Sequence, residues 1–251
     1  MEEIHMLNRN YAEYATEKAV SLLAIDSPTG YTKAAAEWVR AEFAALGYPA
    51  EITVKGGVLI DLDLPACRDA FKQVLGYEKI DEILDPWHQK GIIGEMEAGT
   101  LSADEFRDYV ISRSRPGVTA DDVDNAFFKI LVGVEPYKFD LLRKFSKDYD
   151  IYMLSNNNPI ATKRASEMFA EGGFPMETSF KKCYLSYQMK MLKPSEEFYK
   201  AVIADIGLPA EEMLFIDDSK ANVQASIDAG LPAVWYEPGT DLAQTLASFC
   251  Q

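Results

Sequence analysis

From residue 137 to residue 236 the chain alternates amphipathic helical stretches with short apolar runs, and this alternation restricts its fold more than any other feature. The spacing predicts helix 137–147 before strand 151–154, helix 160–171 before strand 183–185, helix 195–206 before strand 213–216, and helix 220–229 before strand 233–236. A last helix is expected over 240–249. Strands that alternate with helices of this length form parallel sheets, because a parallel connection needs a long crossover that packs on the sheet face. The expected class is α/β, a doubly wound, Rossmann-like parallel sheet.

The middle of the chain reads differently. Helices are predicted at 66–75, 79–84, 92–98, 102–113 and 119–132, broken at Gly76, Pro86, Gly99 and Pro116-Gly117. Ser102 followed by Glu105 forms a capping box. Phe127, Phe128 and Tyr109 fall at helical spacing, as core positions do. Further upstream, helices are expected at 10–25 and 33–46, with Gly47 ending the second. Strand-like stretches follow at 50–54 and 58–62, separated by Gly56-Gly57. Three parts are therefore expected: a helical appendage over 1–48, an α/β core over 49–64 and 135–251, and a helical cap over 65–134.

Bulk properties narrow the partners. The net charge is −15, from 25 basic and 40 acidic residues, which disfavours nucleic acid and anionic membranes. It does not disfavour a phosphorylated metabolite, since one local cation can dominate a site. Cys67, Cys183 and Cys250 are odd in number and form no CxxC pair, as suits a reducing cytoplasm. The opening MEEIHMLNRNYAEYA lacks a basic run followed by an apolar one, so no signal peptide is expected. No uninterrupted apolar stretch approaches ~18 residues, so no membrane span is expected. With only His5 and His88, a multi-histidine zinc site is implausible. His88 itself reads as a partly buried structural histidine ahead of a substrate contact.

In doubly wound sheets ligands collect at the carboxyl ends of the strands. Strand 151–154 runs into Ser155-Asn156-Asn157-Asn158-Pro159, and strand 213–216 into Asp217-Asp218-Ser219. Leu192-Lys193-Pro194 precedes a helix start at Ser195. A hydroxyl with amide donors, an ammonium and paired carboxylates on one rim can hold a phosphate and a hard divalent cation. Each group alone has a plainer reading: Asp217-Asp218 as a helix N-cap with an acidic first turn, Lys193 as a surface lysine, Ser155 as a turn residue.

Taken together, FIDDSKANVQASIDAG (215–230), YMLSNNNP (152–159), LKP (192–194) and GGVLIDLD (56–63) resemble the haloacid dehalogenase superfamily of phosphohydrolases, in the branch with a helical cap. The resemblance implies that Asp218 is the main protein ligand to Mg²⁺, with Asp217 beside it. It implies that Ser155 and the Asn156 backbone bind phosphoryl oxygens. Lys193 becomes a catalytic lysine that offsets charge on the transferring group, and residues 65–134 become the cap that closes over a small phosphate monoester.

One part is absent. In this family an aspartate two positions before the glycine pair attacks phosphorus, and here that register gives Val54. Valine has no lone pair for phosphorus or metal, so impaired activity is expected, or a binding module that holds a phosphometabolite or a protein without turning it over. A shifted register is the alternative: Val58 to Leu62 as the first strand of the sheet, Asp61 as nucleophile and Asp63 as general acid. Residues 11–62 also resemble the start of cocatalytic-zinc aminopeptidases of the glutamyl and deblocking type. None of that family's zinc ligands follows, so no peptidase role carries over. The string GGVLIDL serves both resemblances, and the chain reads as a chimera joined there.

Overall fold

The computed structural model describes residues 57–84 and 91–247. The helices expected at 10–25 and 33–46, the strand ending at Val54, His88 and Cys250 lie outside the described residues.

A turn closed by the Gly57 N–H on the Ile60 carbonyl (3.1 Å) leads into strand β1 (Ile60–Leu62). Helix α1 (Leu64–Ala70) follows at once, because the Asp63 carboxylate accepts the Ala66 N–H at 2.8 Å and Pro65 lies in the first turn, where no intrahelical N–H bond is needed. The helix continues as a π-helical turn over Phe71–Leu75 and stops at Gly76, whose φ of 68° suits a residue without Cβ. A 3₁₀ turn (Glu78–Glu82) and helices α2 (Gly91–Glu97), α3 (Ala103–Ile111) and α4 (Ala120–Phe128) complete a block whose described residues contain no strand.

This block has its own core. Phe71, Leu75, Ile80, Met96, Phe106, Val110 and Val123 are all fully buried. Phe127 meets Phe106 and Phe71 edge-on, with centroids 5.7 and 6.4 Å apart. The Arg107 guanidinium grips both Asp124 oxygens at 2.8 and 3.0 Å and ties α3 to α4. Ser102 with Glu105, and Thr119 with Asp122, form reciprocal capping boxes at the starts of those helices.

Strand β2 (Leu131–Val134) brings the chain back to β1, antiparallel, with Ile60 opposite Val134 and Asp61 opposite Gly133. Two expectations are corrected here. Residues 129–132 do not prolong the preceding helix: α4 ends at Phe128, and the branched residues Val132 and Val134 favour the extended partner of β1. The expected strand 58–62 is extended only over Ile60–Leu62, and its strand pairing among the described residues is the antiparallel one with β2.

The remaining elements alternate as expected: α5 (Pro136–Phe145), β3 (Tyr152–Ser155), α6 (Pro159–Glu171), the short α7 (Met176–Ser179), β4 (Lys182–Leu185), the short α8 (Ser186–Met189), α9 (Glu196–Ile206), β5 (Phe215–Asp217), α10 (Lys220–Asp228), β6 (Ala233–Trp235) and α11 (Leu242–Ala247). β3 pairs with β4 and β5 with β6, both in parallel. Two apolar clusters surround these strands: Phe139, Phe169, Phe174 and Phe180 pack with Met153 and Cys183, while Phe198, Tyr199, Val202 and Phe215 pack with Leu154 and Ala233. Ile160 and Ala161, in the first turn of α6, belong to the core of the helical block. Among the described residues no helix is long and apolar enough to cross a membrane.

The boxes on α3 and α4 carry a pH signature. Bonds from the Thr119 hydroxyl and amide hold Asp122 below its ordinary value of 3.8, and the Ser102 amide and hydroxyl do the same for Glu105 below 4.5. A depressed carboxylate stabilises the fold above its unfolded pKa, and that contribution is lost as pH falls through the folded value. Thr119→Ala is expected to cost about 1 kcal/mol at pH 7 and to flatten the fall of the thermal midpoint on acidification below about pH 4, read by circular dichroism against the parent chain. A parallel fall in both proteins would contradict the role given to Asp122.

Candidate functional site

The carboxyl ends of β3 and β5 are joined by one side chain. Lys193 is 7% exposed, and its ammonium donates to the Leu154 carbonyl at 3.0 Å and to Asp217 Oδ2 at 2.7 Å. Asp217, 3% exposed, uses its second oxygen as well: Oδ1 accepts the Ser219 N–H and the Asn222 amide, each at 2.8 Å. A buried carboxylate with a cation and two neutral donors is fully compensated. Ser219 also caps α10, accepting the Asn222 N–H, so the turn after β5 is shaped by the groups that hold Asp217. Tyr199 lies close behind. Burial first, and the Asp217 charge second, push its phenol above its usual range, and its O–H donates to the Asn222 carbonyl at 3.0 Å.

The turn after β3 uses each of its asparagines differently. Asn156 forms a reciprocal pair with the Lys193 backbone: its amide donates to the carbonyl and its oxygen accepts the N–H, both at 2.8 Å. The Asn157 oxygen accepts the Asn158 N–H at 2.8 Å, while the Asn157 N–H donates to the Ser186 hydroxyl at 3.0 Å. Asn158 caps α6 through the Ala161 N–H at 2.9 Å. Ser155 closes β3 half-buried, with its hydroxyl 3.4 Å from the Asn156 carbonyl, a long contact. Asp218 is also half-buried, and its carbonyl accepts the Trp235 indole N–H at 2.9 Å. The Lys220 ammonium sits 4.2 Å from the centre of the same indole.

Ser155, Asn156, Lys193, Asp217 and Asp218 are thus linked around the ends of β3 and β5, through Lys193 and the two turns. Asp61 and Asp63 each have bonding partners of their own. The Asp61 carboxylate faces the buried Lys138 at 3.3 Å, which also meets Glu135 at 3.2 Å. It lines an open cavity of about 570 Å³ together with Glu135, Tyr137 and Asp241. The cavity's three carboxylates outnumber the one ammonium, Lys138, that pairs with two of them, which disfavours a phosphate dianion there. Asp63 is the N-cap of α1. For the shifted register, with Asp61 as nucleophile and Asp63 as general acid, both carboxylates are already bonded: Asp61 to Lys138 and Asp63 to the Ala66 N–H.

Ser186, Asn222 and Trp235 were not anticipated from sequence. Ser186 stands immediately after β4, so the strand-end rule that singles out Ser155 and Asp217 reaches it as well. Asn222 carries no such signal, because an asparagine in a helical first turn is ordinary.

The acids present suit a cation that takes most of its coordination from water and phosphate oxygens, as Mg²⁺ does. Among the described residues no group of three His, Cys, Asp or Glu side chains comes together as a cage.

The Lys193–Asp217 pair gives a direct stability test. Removing one member of a buried pair strands the other, at a cost of about 3–5 kcal/mol. Asp217→Leu is expected to fall in that range and to exceed Lys193→Met, since Asp217 also satisfies Ser219 and Asn222; the double variant should cost less than the sum. Urea unfolding of the three variants measures this. Strictly additive single costs below about 1 kcal/mol would mean the pair is solvent-screened.

A family model for haloacid dehalogenase-like hydrolases matches residues 55–230. The chain is 35% identical over 192 residues to a D-ribitol-5-phosphate phosphatase of Bacteroides thetaiotaomicron, covering 76% of this chain and 93% of the relative. Among solved structures it is similar to a HAD family enzyme of the same bacterium, in complex with magnesium and inorganic phosphate, at 37% identity and a TM-score of 0.70, covering 75% of this chain and 94% of that one. It is also similar to a predicted HAD-like family hydrolase of Porphyromonas gingivalis, at 31% identity and a TM-score of 0.67, covering 76% and 91%. The chain belongs to the haloacid dehalogenase-like hydrolase family.

Proposed function

We propose that this protein binds small phosphate monoesters with Mg²⁺ at the ends of β3 and β5, and that it hydrolyses them weakly because Val54 occupies the place of the family's nucleophile. The single observation that supports the reading is the Lys193 ammonium held between Leu154 and Asp217, beside the Ser155 turn. A fixed cation near a serine hydroxyl can carry a phosphoryl group with little reorganisation when it arrives.

In this reading the Ser155 hydroxyl and the Asn156 backbone donate to phosphoryl oxygens, and Lys193 offsets their charge. Asp218 holds the cation. Asp217, with both oxygens already engaged, acts by setting the ammonium and the turn that carries Asp218. Mg²⁺, when present, polarises the phosphoryl oxygens. The helical block between β1 and β2 serves as the cap that excludes water and selects the leaving group. The identity to a D-ribitol-5-phosphate phosphatase favours phosphates of acyclic sugar alcohols among the candidate substrates.

A binding module without turnover is the second reading. It draws support from a variant of the Bacteroides thetaiotaomicron HAD enzyme, with an aspartate replaced by alanine, whose structure also holds magnesium and inorganic phosphate. The family match begins at residue 55, so Val54 lies outside it. The two readings part in one assay: phosphate release from D-ribitol-5-phosphate and from an aryl phosphate, with and without Mg²⁺. The parent chain is expected near background, Val54→Asp is expected to gain at least ~10-fold, and Asp61→Asn is expected to change neither. No gain in Val54→Asp, with phosphate still bound, favours the module. Robust turnover in the parent that disappears in Asp61→Asn would overturn the assignment of the missing nucleophile.

A further inference from the structure

Ser186 is fully buried, and its hydroxyl stands between two parts of the molecule. It accepts the Asn157 N–H at 3.0 Å, in the turn that carries Ser155. It donates to the Glu97 carbonyl at 2.6 Å, at the last residue of α2 in the helical block. The Asn157 carbonyl, at 3.1 Å, is the second acceptor within its reach. Two residues past Glu97, Gly99 lies against the backbone of Tyr187, the neighbour of Ser186. Its φ is +69°, and a Cβ there would run into the Tyr187 carbonyl oxygen. The end of α2 is therefore seated on the end of β4 by a hydrogen bond and by a close backbone approach. The same seating reaches the Asn157 amide through one hydroxyl.

The helix on the far side of this turn is seated too. Asn158 caps α6, and Ile160 and Ala161 of its first turn sit in the core of the helical block. The block thus touches the Ser155–Asn158 turn from both flanks: through Glu97 and Ser186 on one, through Ile160 and Ala161 on the other.

We propose that Ser186 is a positioning residue that couples the seating of the helical block to the geometry of the Ser155–Asn158 turn. Withdrawal of α2 removes the acceptor of the Ser186 proton. The hydroxyl then turns to the Asn157 carbonyl, and the amide it holds loses its fixed partner orientation. The turn is ordered for a phosphoryl group when the block is seated and relaxed when it is not. This rests on the reading of that turn as phosphate-binding, and the test keeps the two separable.

Two variants of the full chain suffice. Ser186→Ala deletes the bridge. Gly99→Ala leaves the bridge atoms in place and unseats α2 through the clash of its new Cβ with the Tyr187 carbonyl. Hydrogen exchange of residues 155–158 and titration with inorganic phosphate in saturating Mg²⁺ are measured on each. Coupling predicts faster exchange over 155–158 in both variants and phosphate binding weakened by roughly 3- to 10-fold, the scale of one lost hydrogen bond. Faster exchange in Ser186→Ala with an unchanged turn in Gly99→Ala would overturn the coupling and leave Ser186 as a local brace. Should Ser186→Ala fail to fold, the exchange of Gly99→Ala alone decides. If the parent chain binds no phosphate, the phosphate reading fails while the exchange data still settle the coupling.

Discussion

The arrangement at the strand ends depends on one buried ammonium. Lys193 reaches between β3 and β5, and without it the Leu154 carbonyl and the Asp217 carboxylate would face each other as two acceptors. A lysine is rarely left 7% exposed unless its charge is answered. Here Asp217 answers it, and Asp217 is in turn answered by Ser219 and Asn222. Such a pair contributes little net stability compared with apolar packing of the same volume, but it is costly to break. Its presence in this core is better understood as a device that holds a positive charge in one place than as a source of folding energy.

The run Asn156-Asn157-Asn158 shows how a short polar stretch can specify a site's shape. One asparagine fixes the backbone of Lys193, the next turns the chain and offers its N–H to Ser186, and the third starts α6. Each substitutes a side-chain amide for a missing backbone partner, which asparagine does readily because its group is short and carries both donor and acceptor. Three consecutive residues thereby connect the lysine, the neighbouring strand end and the helical block. That density of connections makes the turn a place where movement of one element can be felt by another.

Much of this was legible in the residues. The alternation after residue 137 locates four parallel strands to within two residues, because the helical and extended periods differ and glycines or prolines punctuate most of the joins. Ser155, Lys193 and Asp217 could be singled out because strand ends gather ligands in such sheets. What was hidden depended on partners far away in sequence. Residues 131 and 132 look like the tail of a helix until β1 is set beside them. Asp61 and Asp63 read as a catalytic pair, and nothing local shows that Lys138 faces one while the other caps α1. Ser186 was within reach of the same strand-end rule, yet its bond to Glu97, 89 residues earlier, has no trace in local pattern. Propensity and spacing report the chain's near neighbours, and long-range pairing decides these cases.

The central claim is that the groups gathered by Lys193 form a seat for a phosphoryl oxyanion and a divalent cation. A crystal structure of the full chain grown with Mg²⁺ and inorganic phosphate tests it most directly. The account predicts phosphate within hydrogen-bond distance of Lys193 Nζ and Ser155 Oγ, with the metal on Asp218. Phosphate seated instead on another surface, with Lys193 and Asp217 unchanged and no metal near Asp218, would contradict it.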